Sequence, residues 1–153
     1  MTGRVKRLLR ALGIGLVYVA VLFGVLQLVP YGRTHSNPPT TREPAWDSSR
    51  TRELAVRACF NCHSNETTWP TYASVAPFSW VVQHDVEAAR EIVNFSEWNV
   101  SYPLADYCGS STRDGNMPPV KYRMAHPEAD LTKEEMIELA DGLDRTIKKG
   151  RLR

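Results

Sequence analysis

The sequence contains little of what hydrolysis or group transfer requires. It shows no Ser/His/Asp arrangement, no glycine-rich loop that could cradle a phosphate and no catalytic pair of carboxylates. Cysteine and histidine are scarce, with 3 and 4 copies among 153 residues, and the chain has no internal repeats. We therefore expect a protein that is not an enzyme.

Acidic residues are absent from the first 30 positions, where the chain is first basic and then apolar. Four basic residues precede residue 11, and residues 11–29 contain one strongly polar side chain, that of Gln27. At about 1.5 Å per residue, this run approaches the roughly 30 Å hydrocarbon core of a bilayer. The residues before Arg33 offer no A-x-A cleavage site, which favours an anchor over a signal peptide. Residues 1–30 are thus predicted to form a cytoplasmic basic flank and a single transmembrane helix.

The distribution of charge indicates the orientation of the chain and its partners. The basic flank places the N-terminus in the cytoplasm and the rest of the chain outside it. Beyond residue 30 the chain has 15 basic and 17 acidic residues, a net charge of −2, although the whole chain is +2. We expect the lipid bilayer as a partner through residues 11–29, and this near-neutral outer part gives no reason to expect nucleic acid.

The outer part is predicted to be a linker followed by one small domain. Residues 31–47 contain three prolines among Thr, Ser and Asn, a composition that resists helix formation and favours an extended spacer. Residues 48–153 suffice for one domain. Two of its helices have recognisable ends: one runs from about residue 50 to residue 59 after a serine cap, and the last starts at a Thr132–Glu135 capping box and ends at Gly150.

A further helix is predicted over residues 80–95 from apolar residues at spacings of four, three and four. Its inward face consists of Val82, Val86, Ala89 and Val93. Its polar face consists of Gln83, His84, Glu87 and Glu91. Because no strand pattern accompanies these helices, the predicted fold class is all-α. The last helix is expected to pack on the helix that precedes residue 59.

The motif with the most specific chemistry is Cys59-Phe60-Asn61-Cys62-His63. A C-x-x-C-H string is the attachment signature of c-type haem. Each thiol can add to a vinyl group of one porphyrin, and the adjoining histidine can bind the iron from one face. The sequence therefore predicts one covalent haem c per chain, held by Cys59, Cys62 and His63.

Two other uses of a C-x-x-C pair stay open. A zinc site needs two further thiolates or imidazoles. Only Cys108 remains as a thiol, and the histidines that could complete such a site lie at long spacings. A thioredoxin-like dithiol needs a βαβ setting, which the flanking residues do not indicate. Both alternatives are less favoured than haem.

A second iron ligand is predicted in the string Gly115-Asn116-Met117-Pro118-Pro119. The two prolines restrict the backbone after Met117, whose thioether is a suitable soft ligand for low-spin haem iron. Met124 is a weaker candidate for the same role. The alternative for Met117 is a buried methionine that fills a gap in the core.

Several strings of the sequence match one known family. They are Asn37-Pro38-Pro39, CFNCHSNETTW at 59–69, APFSW at 76–80, NFSEW at 94–98 and the segment 115–132. With them, the chain resembles the membrane-anchored haem-binding domain family of bacterial c-type cytochromes. The resemblance covers nearly the whole chain and is weakest between residues 99 and 114.

The resemblance implies an all-helical, cytochrome-c-like domain with one covalently bound haem. By position, Cys59 and Cys62 become the thioether sites, His63 the proximal ligand and Met117 the distal ligand. The domain would lie on the periplasmic side of the bacterial inner membrane. Cys108 would then be an odd thiol outside the cytoplasm, and we expect it to be buried.

These expectations favour a tethered one-electron carrier, because His/Met iron has no open coordination site. Its donors and acceptors would be membrane-bound redox proteins, and the chain could be a subunit of a respiratory or photosynthetic complex. The alternative from another class is a haem-based sensor in which Met117 dissociates to admit a small ligand. The sequence does not distinguish these two functions.

Overall fold

The computed structural model describes residues 3–151, which are mostly helical and contain no strand. Their α-helices are α1 Gly3–Leu26, α2 Ser49–Ala58, α3 Phe60–His63, α4 Phe78–Ile92, α5 Cys108–Arg113, α6 Val120–Ala125 and α7 Lys133–Arg151. The predicted all-α fold with one long apolar helix near the N-terminus is confirmed. The predicted basic flank and domain also include residues 1, 2, 152 and 153, which lie outside the described residues.

The chain divides into two compact units. Unit 1 contains residues up to 35 together with residues 70–84, and unit 2 contains residues 36–69 together with those from 85 onwards. The boundary between the units falls inside α4. In unit 1, a segment distant in sequence joins the N-terminal helix, and the order of anchor, linker and domain stays a prediction.

In unit 1, α1 is long and apolar enough to cross a membrane, and none of its residues is buried inside the structure. The helix ends at Leu26, before the predicted limit at residue 29. The backbone N–H of Gln27 is shared between the carbonyls of Phe23 and Gly24, at 3.2 and 3.1 Å, so the last turn tightens. Pro30 cannot continue the ladder of hydrogen bonds.

Unit 1 also explains why one residue of α4 departs from the predicted polar face. Gln83 is buried, although the periodicity placed it with exposed residues such as His84. The backbone of Gly32, at a φ of +79°, packs directly on α4. A Cβ atom at Gly32 would overlap the carbonyl of Ser79 and lie 3.0 Å from the Cβ of Gln83. The turn at Gly32 therefore covers a part of the helix that the local pattern leaves open.

In unit 2, the core forms where α2, α5 and α7 pack together. Ser48 caps α2, because its Oγ accepts a hydrogen bond from the Thr51 N–H at 3.1 Å. The capping box of α7 is present, with Thr132 N–H donating to Glu135 at 3.1 Å and Glu135 N–H donating to Thr132 at 3.2 Å. The predicted packing of α7 on α2 is confirmed, and α5 packs on α7 as well. The helix includes Gly150 and continues to Arg151, the last residue described, so the helix does not end at Gly150 as predicted.

The proline-containing segment is extended, as its composition predicts, and its second half packs on unit 2. The backbone N–H groups of Thr41 and Arg42 donate to the Ser96 carbonyl at 2.9 and 3.1 Å. Trp98 N–H donates to the Arg42 carbonyl at 2.8 Å, and the rings of Trp46 and Phe95 lie 5.3 Å apart. Residues 41–46 are thus an integral part of unit 2.

The close approach of α7 to α2 predicts that Gly142→Ala destabilises the protein. A Cβ atom at Gly142 would overlap the side chain of Thr51. Overpacking of this kind costs about 1–3 kcal/mol, which exceeds the roughly 1 kcal/mol that alanine gains over glycine in a helix. We expect a lower midpoint of thermal unfolding, measured by circular dichroism on the full chain in detergent.

Gly150→Ala is the matched control in the same helix. A Cβ atom there would lie 3.4 Å from Nε1 of Trp98, an ordinary contact. Its unfolding midpoint should be unchanged or higher. Equal midpoints for Gly142→Ala and the unsubstituted chain would contradict the close packing of α2 and α7.

Candidate functional site

The C-x-x-C-H string forms its own helical turn directly after α2. Cys59 ends α2 and precedes α3, and its carbonyl accepts hydrogen bonds from Cys62 N–H at 3.1 Å and His63 N–H at 2.9 Å. Residues three and four positions apart on a helix lie on the same side. The turn therefore places Cys62 and His63, three and four positions after Cys59, within one helical turn of that thiol, and the buried face of α2 fixes the position of the turn.

The imidazole of His63 is held by the backbone of the following helical segment. Its Nδ1 lies 3.0 Å from the Ala89 carbonyl and 3.0 Å from the Val93 carbonyl. Because carbonyl oxygens only accept, Nδ1 carries the hydrogen and Nε2 keeps its lone pair. Burial lowers the pKa of His63, which favours the neutral ring. This is the form in which a histidine binds a metal, with the ring oriented by its other nitrogen.

A cavity of about 470 Å³ opens beside this turn in unit 2. Its walls are formed by Cys59, His63, Ile92, Val93, Phe95, Leu104, Tyr107, Cys108, Ser111, Thr112, Met117 and Leu143. The volume is in the range of ligand pockets, and the mostly apolar walls suit a flat apolar cofactor. The predicted site residues Cys59, His63 and Met117 thus line the same cavity. Cys62 is on the same helical turn but does not line it.

Met117 reaches the cavity from a loop that is tied to the end of α5. The backbone N–H groups of Asn116 and Met117 both donate to the Ser111 carbonyl, at 3.0 and 3.1 Å. Gly115 adopts a φ of +74°, which reverses the chain between α5 and the methionine. Met124, the weaker candidate, has 81% of its surface exposed and does not line the cavity. The geometry therefore favours Met117 as the residue that could bind a group in the cavity.

The three thiols are unpaired with one another and partly buried. Burial raises the pKa of Cys59 to about 12 and the pKa values of Cys62 and Cys108 to about 11. All three are therefore neutral thiols near pH 7. Cys108 lines the cavity together with Cys59. Among residues 3–151, no group of three or more His, Cys, Asp or Glu side chains is positioned to hold a metal ion, so they do not form the zinc site that the alternative requires.

A buried polar network behind the imidazole was missed by the reasoning from sequence. Asn65 N–H donates to Ser96 Oγ at 2.9 Å, and Asn65 Nδ2 donates to Glu97 Oε1 at 2.9 Å. Asn94 Nδ2 donates to Asn65 Oδ1 at 2.8 Å, and Ser96 N–H donates to Asn94 Oδ1 at 2.9 Å. Two strings quoted for the family resemblance, SNET and NFSEW, are joined by these bonds. The network holds Asn65, two residues after His63, against the segment that follows α4.

Arg90 of α4 holds the same chain segment from another direction. Its Nε donates to the Ser64 carbonyl at 2.8 Å. Its Nη2 donates to Thr67 Oγ1 at 3.0 Å and to Asn37 Oδ1 at 3.2 Å. Asn37 Nδ2 donates in turn to the Thr67 carbonyl at 2.9 Å. The spacing of apolar residues predicted α4 as an amphipathic helix, and this periodicity does not indicate the hydrogen bonds of Arg90.

Aromatic rings pack on one another next to the cavity, and one of them, Phe95, forms part of its wall. The rings of Phe60 and Phe95 are stacked at 5.9 Å, Phe95 and Trp98 at 5.9 Å, and Trp46 lies 6.1 Å from Phe60. Phe95 also meets the edge of the His63 ring at 6.4 Å, and its N–H donates to the His63 carbonyl at 2.8 Å. Such rings restrict the position of the imidazole through packing as well as hydrogen bonding.

Comparison with known proteins gives one match. The family model described as a haem-binding domain matches residues 21–145, which is most of the chain. No curated protein and no solved structure matches the chain. The match spans the C-x-x-C-H turn, the cavity and the polar network.

The polar network predicts that Asn65→Ala loosens the site. The substitution removes the Asn65 amide that bonds Glu97 and Asn94, and it leaves buried groups without partners. Such losses cost about 1–3 kcal/mol. We expect a lower midpoint of unfolding and faster amide hydrogen exchange over residues 60–67. Glu66→Ala, at an exposed neighbouring position, is the control and should change neither quantity. Unchanged exchange in Asn65→Ala would argue against this role of the network.

Proposed function

The chain belongs to the haem-binding domain family, and from this premise we propose that it is a membrane-anchored mono-haem cytochrome of the c type. It would carry single electrons on the periplasmic side of the bacterial inner membrane. The observation that supports this proposal best is the juxtaposition of Cys59, His63 and Met117 in one mostly apolar cavity. A thiol, an oriented neutral imidazole and a thioether are the groups that such a cofactor needs.

The residues fit a covalently attached haem. Cys59 and Cys62 would hold it through two thioether bonds, in each of which a thiol S–H adds across a vinyl group. His63 would bind the iron through Nε2, because its Nδ1 is engaged by backbone carbonyls. Met117, in its loop after α5, would supply a thioether as a second ligand of the iron. The apolar walls would exclude water from the cofactor.

Electron transfer is the proposed activity, and catalysis of a substrate reaction is not. Bound haem supplies an iron that gains and loses one electron. With both His63 and Met117 as iron ligands, this chain would leave no coordination site for a substrate. A thioether ligand also favours a higher reduction potential than a second imidazole would.

The anchor defines the proposed partners. The helix α1 is long and apolar enough for the bilayer, and its basic flank favours a cytoplasmic N-terminus. A tethered domain meets other proteins of the same membrane at a high effective concentration. Membrane-bound redox proteins or complexes are therefore the proposed donors and acceptors.

Covalent attachment is tested with the unsubstituted full chain and two cysteine variants of it. In the unsubstituted protein, acidic acetone should leave the haem with the polypeptide, because thioether bonds survive it. Extraction should remove all haem from a Cys59→Ala/Cys62→Ala double variant, since neither thiol is left. Cys108→Ala is the matched control, because it removes a thiol from the same cavity and should retain covalent haem. Extraction of haem from the unsubstituted protein would refute the c-type proposal.

The distal ligand is tested with Met117→Ala and Met124→Ala. Loss of the thioether at position 117 should convert a low-spin absorption spectrum to a high-spin or newly ligated one, with the haem still attached. Met124→Ala should keep the original spectrum, because this side chain is exposed and outside the cavity. Carbon monoxide should bind the reduced Met117→Ala variant rapidly and the unsubstituted protein slowly. Rapid binding to the unsubstituted protein would favour the sensor function instead.

A further inference from the structure

One long stretch of the outer chain lacks charge. Residues 67–84 contain no Asp, Glu, Lys or Arg, whereas such residues recur throughout the rest of the chain beyond residue 40. Most of this stretch, residues 70–84, belongs to unit 1 together with α1. The least charged part of the outer chain is therefore joined to the helix that is apolar enough to cross a membrane.

Hydrogen bonds hold this stretch against the residues that follow α1. The Gln27 amide pairs with the backbone of Ala76, with Nε2 donating to the carbonyl at 2.9 Å and Oε1 accepting from the N–H at 3.0 Å. His35 Nε2 lies 3.1 Å from the Ala73 carbonyl. Gly32 packs directly on the Ser79 carbonyl. Gln27, the one strongly polar residue of the apolar run, thus bonds the stretch to the end of the helix.

The stretch presents large apolar side chains to its surroundings. Tyr72, Val75, Phe78 and Val81 are all exposed, and Phe78 is exposed over 60% of its surface. The rings of Tyr72 and Phe78 meet edge to face at 6.4 Å. Single exposed apolar residues are common on proteins, but a group of them in an uncharged segment indicates an interaction surface.

We propose that these four side chains, here called the collar, insert into the headgroup region of the bilayer beside α1. The proposal rests on the proposed membrane anchor and adds a second contact to it. We infer that the collar contacts lipid because the stretch that carries it is hydrogen-bonded to Gln27, which directly follows the apolar helix α1. Aromatic side chains are favoured at this depth, and apolar faces of interfacial segments enter the boundary by about 5–10 Å. The collar would fix the tilt and height of unit 1 at the membrane surface.

The collar is tested by photo-crosslinking of the full chain in vesicles of phosphatidylethanolamine and phosphatidylglycerol. The substitutions Tyr72→p-benzoylphenylalanine and Phe78→p-benzoylphenylalanine place a reactive ketone on exposed aromatic positions. We expect illumination to add the mass of one phospholipid to each variant. Glu91→p-benzoylphenylalanine is the control, because this residue is exposed, lies outside the uncharged stretch and belongs to unit 2, and it should give no lipid adduct.

Tyr18→p-benzoylphenylalanine separates failure of the collar from failure of the anchor. Lipid adducts at position 18 but not at positions 72 and 78 would overturn the collar and leave the anchor intact. Absence of adducts at position 18 would overturn the anchor itself. Crosslinked dimers from positions 72 and 78, or lipid adducts of equal yield at position 91, would also overturn the collar, because the contact would be with a second copy or would not be specific to this surface.

Discussion

The candidate site depends on the hydrogen bonds that His63 Nδ1 makes with the carbonyls of Ala89 and Val93. They select the tautomer, leave Nε2 as a ligand and orient the ring relative to the cavity. The Val93 carbonyl follows the end of α4, where the last carbonyls of a helix lack intrahelical partners, and the Ala89 carbonyl also accepts the Val93 N–H at 3.0 Å. A helix terminus and a histidine therefore satisfy each other's hydrogen-bonding groups in a buried place, where an unpaired group would be costly.

Much of unit 2 serves to keep these two segments together. The core of α2 and α7 determines where the C-x-x-C-H turn begins, since α3 directly follows the buried face of α2. The network around Asn65 and the hydrogen bonds of Arg90 join the residues after His63 to α4 and the segment beyond it. Polar side chains in these places make the relative position specific, because each bond requires one arrangement of donor and acceptor. Apolar packing alone would tolerate small shifts.

Unit 1 differs from unit 2 in its exposed side chains and in its charge. It exposes many large apolar side chains, and its residues 70–84 contain no Asp, Glu, Lys or Arg. Its internal hydrogen bonds, such as the pair between Gln27 and Ala76, bring a distant segment to the end of α1. The two units thus differ in composition: unit 2 has polar networks and a cavity, and unit 1 has exposed apolar side chains and a long apolar helix.

The sequence alone determined the features that depend on neighbouring residues. Helical periodicity, a serine cap and the Thr132–Glu135 box require only local spacing, so α2, α4, α7 and the all-α class followed from it, whereas the short helices α3, α5 and α6 did not. Residue types likewise singled out the C-x-x-C-H string and the Met117 loop.

Only the tertiary structure decided which distant groups meet. Contacts between segments far apart in the chain place Met117 rather than Met124 at the cavity and bury Gln83 under Gly32. Such contacts also form the Asn65 network and join residues 70–84 to α1. Such contacts form through packing and buried hydrogen bonds of the complete fold, and no local pattern of residues encodes them.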